Sequence, residues 1–271
     1  IDAYVAPGSR FDREPREVGS RLARLVHLAK NETGYKSLIA LVTRSFLEGF
    51  HDKPRIDREL LAAHHEGLIA ILPSLAGQPS LALRARHAEG ALAHAHWYAE
   101  VFGKDNVFLE LSHHPEIPGG TELKAQIMKL ANDSGMPLVA AQDVYYLKPE
   151  DRKARETLLL IQQGNTANDQ GDFGDAEIDF SFVDQETARR YFADTPEALL
   201  NTERIAERCS LSLTLGTWVF PHFPIPEGTT HDSELRRAAH EGLAHRGLTL
   251  TDEVKQRNEY ELEIISNKGF S

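Results

Sequence analysis

The run Leu138-Val-Ala-Ala141, entered through Pro137 and left through Gln142-Asp143, limits how this chain can fold more than any other stretch. Four consecutive apolar residues without alternation suit a strand buried on both faces, as in a parallel sheet. Asp143 then sits just past the strand's C-terminal end. In a barrel of alternating strands and helices that end is the rim where chemistry is done. Pro149-Glu150-Asp151 opens a helix expected to run to about Gln162, with proline and acids in its first turn. The stretch reads as one β/α unit with a candidate metal ligand at its tip.

The rest of the chain repeats this alternation. Ile1–Ala6 reads as a strand left through the loop Pro7-Gly8-Ser9-Arg10, and Phe11–Gly19 as a charged loop. Strands are expected at Leu22–Ala29, Gly67–Leu72 and Asn106–Leu111, and helices at Thr33–Phe50, Leu81–Phe102 and Thr121–Ser134, the last stopped by Gly135. His27 lies three residues after Arg24, so strand alternation sends the two side chains to opposite faces. His64-His65-Glu66 reads as a polar helix end, since neighbouring side chains on a helix diverge by about 100°. His87 and His94 share a helix face without a completing ligand. His113 and His114 follow a strand end and face either the barrel mouth or solvent. Asp172–Asp184 is expected to be a loop with a short strand, and Leu215–Gly228, dense in proline and aromatics, an extended linker. Two helices follow, Thr229–Gly247, with Leu235, Ala238, Ala239 and Leu243 inward, and Leu250–Asn267.

With 41% apolar and 26% charged residues, the chain has the balance of a soluble globular protein. Its one cysteine, Cys209, excludes an internal disulfide and fits a reducing cytoplasm. Neither a membrane-spanning run nor a secretory signal is visible. A net charge of −11 argues against a broad nucleic-acid-binding surface. The chain opens inside a strand and closes as a helix ends, so a piece of a longer polypeptide is expected.

Four blocks, Leu28–Leu38, Lys53–Leu61, Val139–Asp151 and Phe192–Cys209, resemble in order the PHP (polymerase and histidinol phosphatase) domain of the bacterial DNA polymerase III alpha-subunit family. The resemblance implies an α/β fold: a PHP-type distorted β/α barrel over residues 1–213, incomplete at its N-terminal side. Residues 214–271 would form the linker and the mostly helical start of the palm region. It also assigns metal-ligand positions. Asp2 replaces a family glutamate, Asp143 keeps the family aspartate, and Arg24, Ser74 and Tyr145 stand where the family has histidine, cysteine and histidine. A guanidinium has no lone pair to give a metal, and a serine hydroxyl is a poor zinc ligand. Asp2 and Asp143 are therefore the residual ligands, a weak oxygen-only pair suited to magnesium or manganese. Arg24 either pairs with one of them or points to solvent.

By the same resemblance the parent is a DNA-directed DNA polymerase of bacterial chromosomal replication. It would be cytoplasmic and Mg2+-dependent, with DNA and dNTPs as substrates and a proofreading subunit and sliding clamp as partners. Its catalytic carboxylates are expected beyond Ser271. Three readings stay open: a metal-poor structural or docking PHP domain, an active metal-dependent phosphoesterase or 3′–5′ proofreading exonuclease, and a stand-alone phosphatase. The polymerase-like helices after the linker favour the first.

Overall fold

The apolar runs become one six-stranded sheet in the order β3-β1-β2-β4-β5-β6. The computed structural model describes residues 1–13, 22–163, 178–218 and 221–271. The expected loops Phe11–Gly19 and Asp172–Asp184, and the linker Leu215–Gly228, lie partly outside the described residues. The chain divides into two compact units, Ile1–Leu213 and Thr214–Ser271.

In the first unit the chain runs through β1 (Asp2–Val5), β2 (Ala23–Ala29), α1 (Glu32–Leu47), β3 (Arg55–Ile56), α2 (Arg58–Ala63) and β4 (Leu68–Leu72). It continues through α3 (Gln78–Arg84), α4 (Ala88–Phe102), β5 (Val107–Leu111), α5 (Gly120–Ser134) and β6 (Leu138–Ala140). A 3-10 turn, Pro149–Asp151, leads into α6 (Arg152–Gln163), and α7 (Gln185–Tyr191) and α8 (Pro196–Arg208) complete the unit. The strands β3, β1, β4, β5 and β6 point one way, and β2 runs antiparallel to both its neighbours. This is the mixed α/β fold expected of a PHP-type domain.

Alternation decides which side chains go where. Val5, Leu25, Leu68, Leu72, Leu109 and Leu111 face a core shared with α1, α4 and α5. The opposite face carries a smaller cluster, Ile69, Phe108 and Val139, covered by Ile205 of α8. Asn201 of α8 also donates its side-chain amide to the Leu138 carbonyl at 2.8 Å. Strands β4, β5 and β6 are thus buried on both faces, which explains why their sequences are almost wholly apolar, Glu110 of β5 excepted.

Helix ends follow their sequence signals in several places. Asn31, Asp57 and Asp184 each accept a backbone N–H at the start of α1, α2 and α7. Gly135 closes α5 in the left-handed conformation. The start of α1 also approaches the lead-in to β4 very closely, because a Cβ on Gly34 would lie 2.0 Å from the Gly67 carbonyl oxygen. One expectation fails: Leu81–Phe102 is two helices, not one. The chain turns at Ala85–His87 with Arg86 in the left-handed region at φ 58°. Gly90 then admits the His87 ring, whose Nδ1 would be 2.5 Å from an added Cβ. No glycine or proline marks that break in the sequence.

A buried polar cluster ties the loop after β1 to β3 and α2. The Arg10 guanidinium reaches both Asp57 oxygens at 3.0 and 3.1 Å and Glu48 at 2.7 Å. Asp57 also accepts the backbone N–H groups of Arg10 and Leu60. Arg55, equally buried, donates to the carbonyls of Gly49, Arg10 and Asp12. Both Asp57 oxygens are thus supplied with donors, the condition under which a buried ion pair is tolerated.

The second unit has α9 (His231–His245), capped by Thr230, and α10 (Asp252–Asn267), capped by Thr251. Leu235, Ala239 and Leu243 are half-buried, Ala238 is exposed, and Leu262 of α10 is buried. An ion pair from Arg236 and a hydrogen bond from His240 Nε2, both to Glu259, link the two helices. Among the described residues, no helix is long and apolar enough to cross a membrane.

His27 sits on the core face as its spacing from Arg24 requires, with its Nε2 unpartnered. Burial, aided by the Ile1 ammonium, pushes its imidazole down to about 3. Between that value and the ordinary imidazole value of about 6.5, the unfolded chain binds a proton that the native chain does not. Stability should therefore fall as pH drops through this window, by about 1.4 kcal/mol per pH unit from this group alone. Urea unfolding of His27→Leu and wild type between pH 7 and pH 4 tests this. The variant should lose less stability on acidification, and identical slopes would refute the assignment.

Candidate functional site

The chemistry-bearing residues meet on the sheet face opposite the main core, at one end. Asp2 and Arg24 lie on neighbouring antiparallel strands. The register pairs Asp2 with Val26 and Tyr4 with Arg24, so the two charged residues are diagonal neighbours on one face. They form an ion pair, with side chains 43% exposed for Arg24 and 30% for Asp2. Glu110, one residue before the end of β5, and Asp143, just past β6, line the same cleft of about 360 Å³. Pro73, Leu75, Ile117, Tyr145 and Phe180 supply its apolar walls, and Arg84 a further cation.

Asp2 and Asp143 belong to strands four places apart in the sheet, roughly 19 Å if the sheet were flat. That both line one cleft requires the sheet to curl, as in a distorted barrel. One detail differs from expectation. Asp143 follows the C-terminal end of β6, whereas Asp2 is the first residue of β1 rather than beyond its C-terminal end. It reaches the cleft because it shares a face with Arg24.

Glu110 is the residue that sequence reasoning missed. Strand alternation places it opposite Leu109 and Leu111, a charged residue inside an otherwise apolar strand, and that is the signal that marked it. Its Oε1 accepts from the Ser74 backbone N–H at 3.0 Å and from the Ser74 hydroxyl at 3.1 Å. The Ser112 hydroxyl lies 2.6 Å from that of Ser74, so Ser112 donates to Ser74 and Ser74 to Glu110. Burial, with repulsion from Asp143, raises the Glu110 carboxyl above its ordinary range against the pull of Ser74 and Arg24.

His114 and His113 part company. The buried His114 bonds Glu116 through Nδ1 at 2.9 Å and turns Nε2 toward Asp143, 3.7 Å away. Burial opposes its protonation, but Asp143 and Glu116 together outweigh that and raise the imidazole above its ordinary value. His113 stacks on Tyr191 at 4.1 Å between ring centres. Gln142 fastens this corner by bonding the His113 backbone at both its N–H and its carbonyl.

The remaining assigned positions are engaged elsewhere. Tyr145 packs edge-on against Phe180 at 4.9 Å, with the Arg155 guanidinium over both rings. Its backbone N–H bonds the Phe180 carbonyl, and Tyr146 continues the pairing with Ser181 and Phe182. His87 and His94 lie on the outer helices, where Arg58 bonds His94 Nδ1 at 2.7 Å. Among the described residues, no three His, Cys, Asp or Glu side chains come together in a metal-holding group.

Comparison with known proteins finds similarity along this chain. Residues 1–114 match the PHP domain model. The chain is thus similar to PHP domains over these residues. It is also similar to the DNA polymerase III subunit alpha of Treponema pallidum, 38% identical over 99% of this chain and 23% of that protein. The subunits named likewise from Borreliella burgdorferi and Aquifex aeolicus are 36% and 32% identical over the whole chain, which covers 24% and 25% of them. The chain thus spans about a quarter of the length of these curated relatives. The similarity runs through both compact units, so it extends well past the PHP match itself.

The metal cluster that a PHP domain implies does not suit the donors of this one. Arg24 offers no lone pair, the Ser74 hydroxyl is committed to Glu110 and Ser112, and the Tyr145 ring is packed against Phe180.

The Ser74–Glu110 contact gives a prediction. A group whose folded value is raised contributes stability below its unfolded value, lost as pH rises through the folded value. Glu110→Gln, which keeps an acceptor for Ser74, should therefore become more stable than wild type as pH rises from 5 to 8. Ser74→Ala should lose about 1–2 kcal/mol by removing a buried hydroxyl bridge. Denaturant unfolding across this range checks both, and a Glu110→Gln protein that weakens with rising pH relative to wild type would sink the account.

Proposed function

We propose that the chain is the PHP domain of a replicative DNA polymerase, acting in bacterial chromosomal replication as a structural or docking element rather than as a hydrolase. The observation that carries this reading is the similarity to polymerase III alpha subunits over nearly the whole chain, joined to a cleft whose inferred ligand positions hold Arg24, Ser74 and Tyr145. On this reading residues 1–213 are the PHP domain and residues 214–271 the linker and start of the palm region.

The parent's nucleotidyl transfer then belongs to carboxylates that this chain does not assemble. DNA, dNTPs, Mg2+, a proofreading subunit and a sliding clamp are partners of the parent rather than of this cleft. Asp2 and Asp143 are the residual ligand positions of an ancestral metal site, and Glu110 stands beside them. A location in the cytoplasm follows from the same role.

The alternative is a working phosphoesterase or 3′–5′ exonuclease, and a direct assay separates the two. The 271-residue protein should hydrolyse neither bis-p-nitrophenyl phosphate nor 3′-labelled single-stranded DNA above background with Mg2+, Mn2+ or Zn2+. Stoichiometric zinc in protein purified without chelator, removable only with loss of such an activity, would overturn the proposal.

A further inference from the structure

The mismatch between the PHP metal cluster and these donors has a specific form, and we infer that the Arg24 guanidinium serves as the resident cation of the cleft, balancing its carboxylates where a metal ion would otherwise be needed. Three carboxylates, Asp2, Glu110 and Asp143, line one cleft. Left alone they repel each other, as the upward push of Asp143 on Glu110 records. Arg24 is the cation placed among them. It pairs with Asp2 across the β1–β2 ladder, and its charge also favours ionised Glu110 on β5. One guanidinium thus acts on strands that are not neighbours, which is also what a bridging metal does. Arg84 is exposed at the rim and His114 reaches only Asp143, so neither substitutes for it.

The same charge explains why the cleft should refuse a divalent ion. A guanidinium stays protonated at any working pH and presents only donors. An ion seated between Asp2 and Asp143 would face a fixed positive charge beside its ligands and would have to compete for Asp2. Removing the charge while keeping the chain length should leave the carboxylates of the cleft uncompensated, and millimolar Mn2+ would then ease their repulsion from solution without needing a closed set of ligands. This rests on reading the cleft as the counterpart of the PHP metal site.

Thermal unfolding of the 271-residue protein, in EDTA and in millimolar Mn2+, tests it with wild type, Arg24→Met and Arg24→Lys. Wild type should melt at the same temperature in both media. Arg24→Met should melt lower in EDTA, by roughly 1–4 °C for a half-exposed pair, and recover in Mn2+. Arg24→Lys should keep most of the wild-type value in EDTA. A wild-type protein raised by Mn2+ would overturn both the inference and the metal-free reading beneath it. An Arg24→Met protein that melts with wild type in EDTA would overturn the role of Arg24 alone. A loss recovered by neither Mn2+ nor lysine would overturn that role as well, since it would then be one of packing rather than charge.

Discussion

Strands β4, β5 and β6 have apolar side chains on both faces, with the α1, α4 and α5 core on one side and α8 on the other. A strand buried twice has almost no room for a polar side chain along its length. Polar groups are displaced to the strand ends, where the sheet meets loops. Glu110 is one residue from its strand's end and Asp143 lies just past another. Two-sided burial therefore decides where chemistry can sit in this fold before any particular ligand is chosen. Asp2 and Arg24 join the group because both project from the same face of the sheet into the same cleft.

This constraint also accounts for what was legible in the sequence. Leu68–Leu72 and Leu138–Ala140 announce themselves as uninterrupted apolar runs and Val107–Leu111 as one broken only by Glu110, while α1 shows in its apolar period and α5 in its closing Gly135. The opposed orientation of Arg24 and His27 follows from counting along one strand. The turn at Arg86 was not legible, because a left-handed arginine has no local signature and depends on the close seating of His87 over Gly90. Asp2, Arg24 and Asp143 were found through resemblance to known motifs, and Glu110 escaped because no motif was attached to it. The Arg10–Asp57–Arg55 cluster escaped for a different reason. Arg10 is 45 and 47 residues from Arg55 and Asp57, and all three look like ordinary surface charges until the fold buries them.

That cluster and the cleft show two ways of keeping charges inside one domain. Around Asp57, each buried charge has a full set of short hydrogen bonds, and Arg55 works on backbone carbonyls. Such a cluster orients the loop after β1 against α2 and leaves nothing free to bind. Around Glu110, the acids outnumber the cation beside them. Burial eases the excess by favouring the neutral carboxyl, and the Ser112–Ser74 chain of hydroxyls supplies donors to the oxygen that remains polar. The first arrangement is rigid by saturation. The second is held in balance, and a substitution at its half-exposed Arg24–Asp2 pair costs less than removing one partner of the buried Arg10–Asp57 pair, which would strand the other charge.

The three positions where the PHP resemblance expects a ligand and this chain has something else are connected by that balance. A lost histidine alone would leave carboxylates facing each other without a cation, and Arg24 meets that need through Asp2. At the thiol's position Ser74 gives Glu110 a hydroxyl bond in addition to the backbone N–H that any residue but proline would offer there. A lost imidazole at the end of β6 would leave a gap at the mouth, and Tyr145 fills it by packing on Phe180 beneath Arg155. Each replacement is engaged with a neighbour: Arg24 with Asp2, Ser74 with Glu110, and Tyr145 with Phe180. Restoring one such ligand by itself would therefore break a contact without completing a metal-holding group.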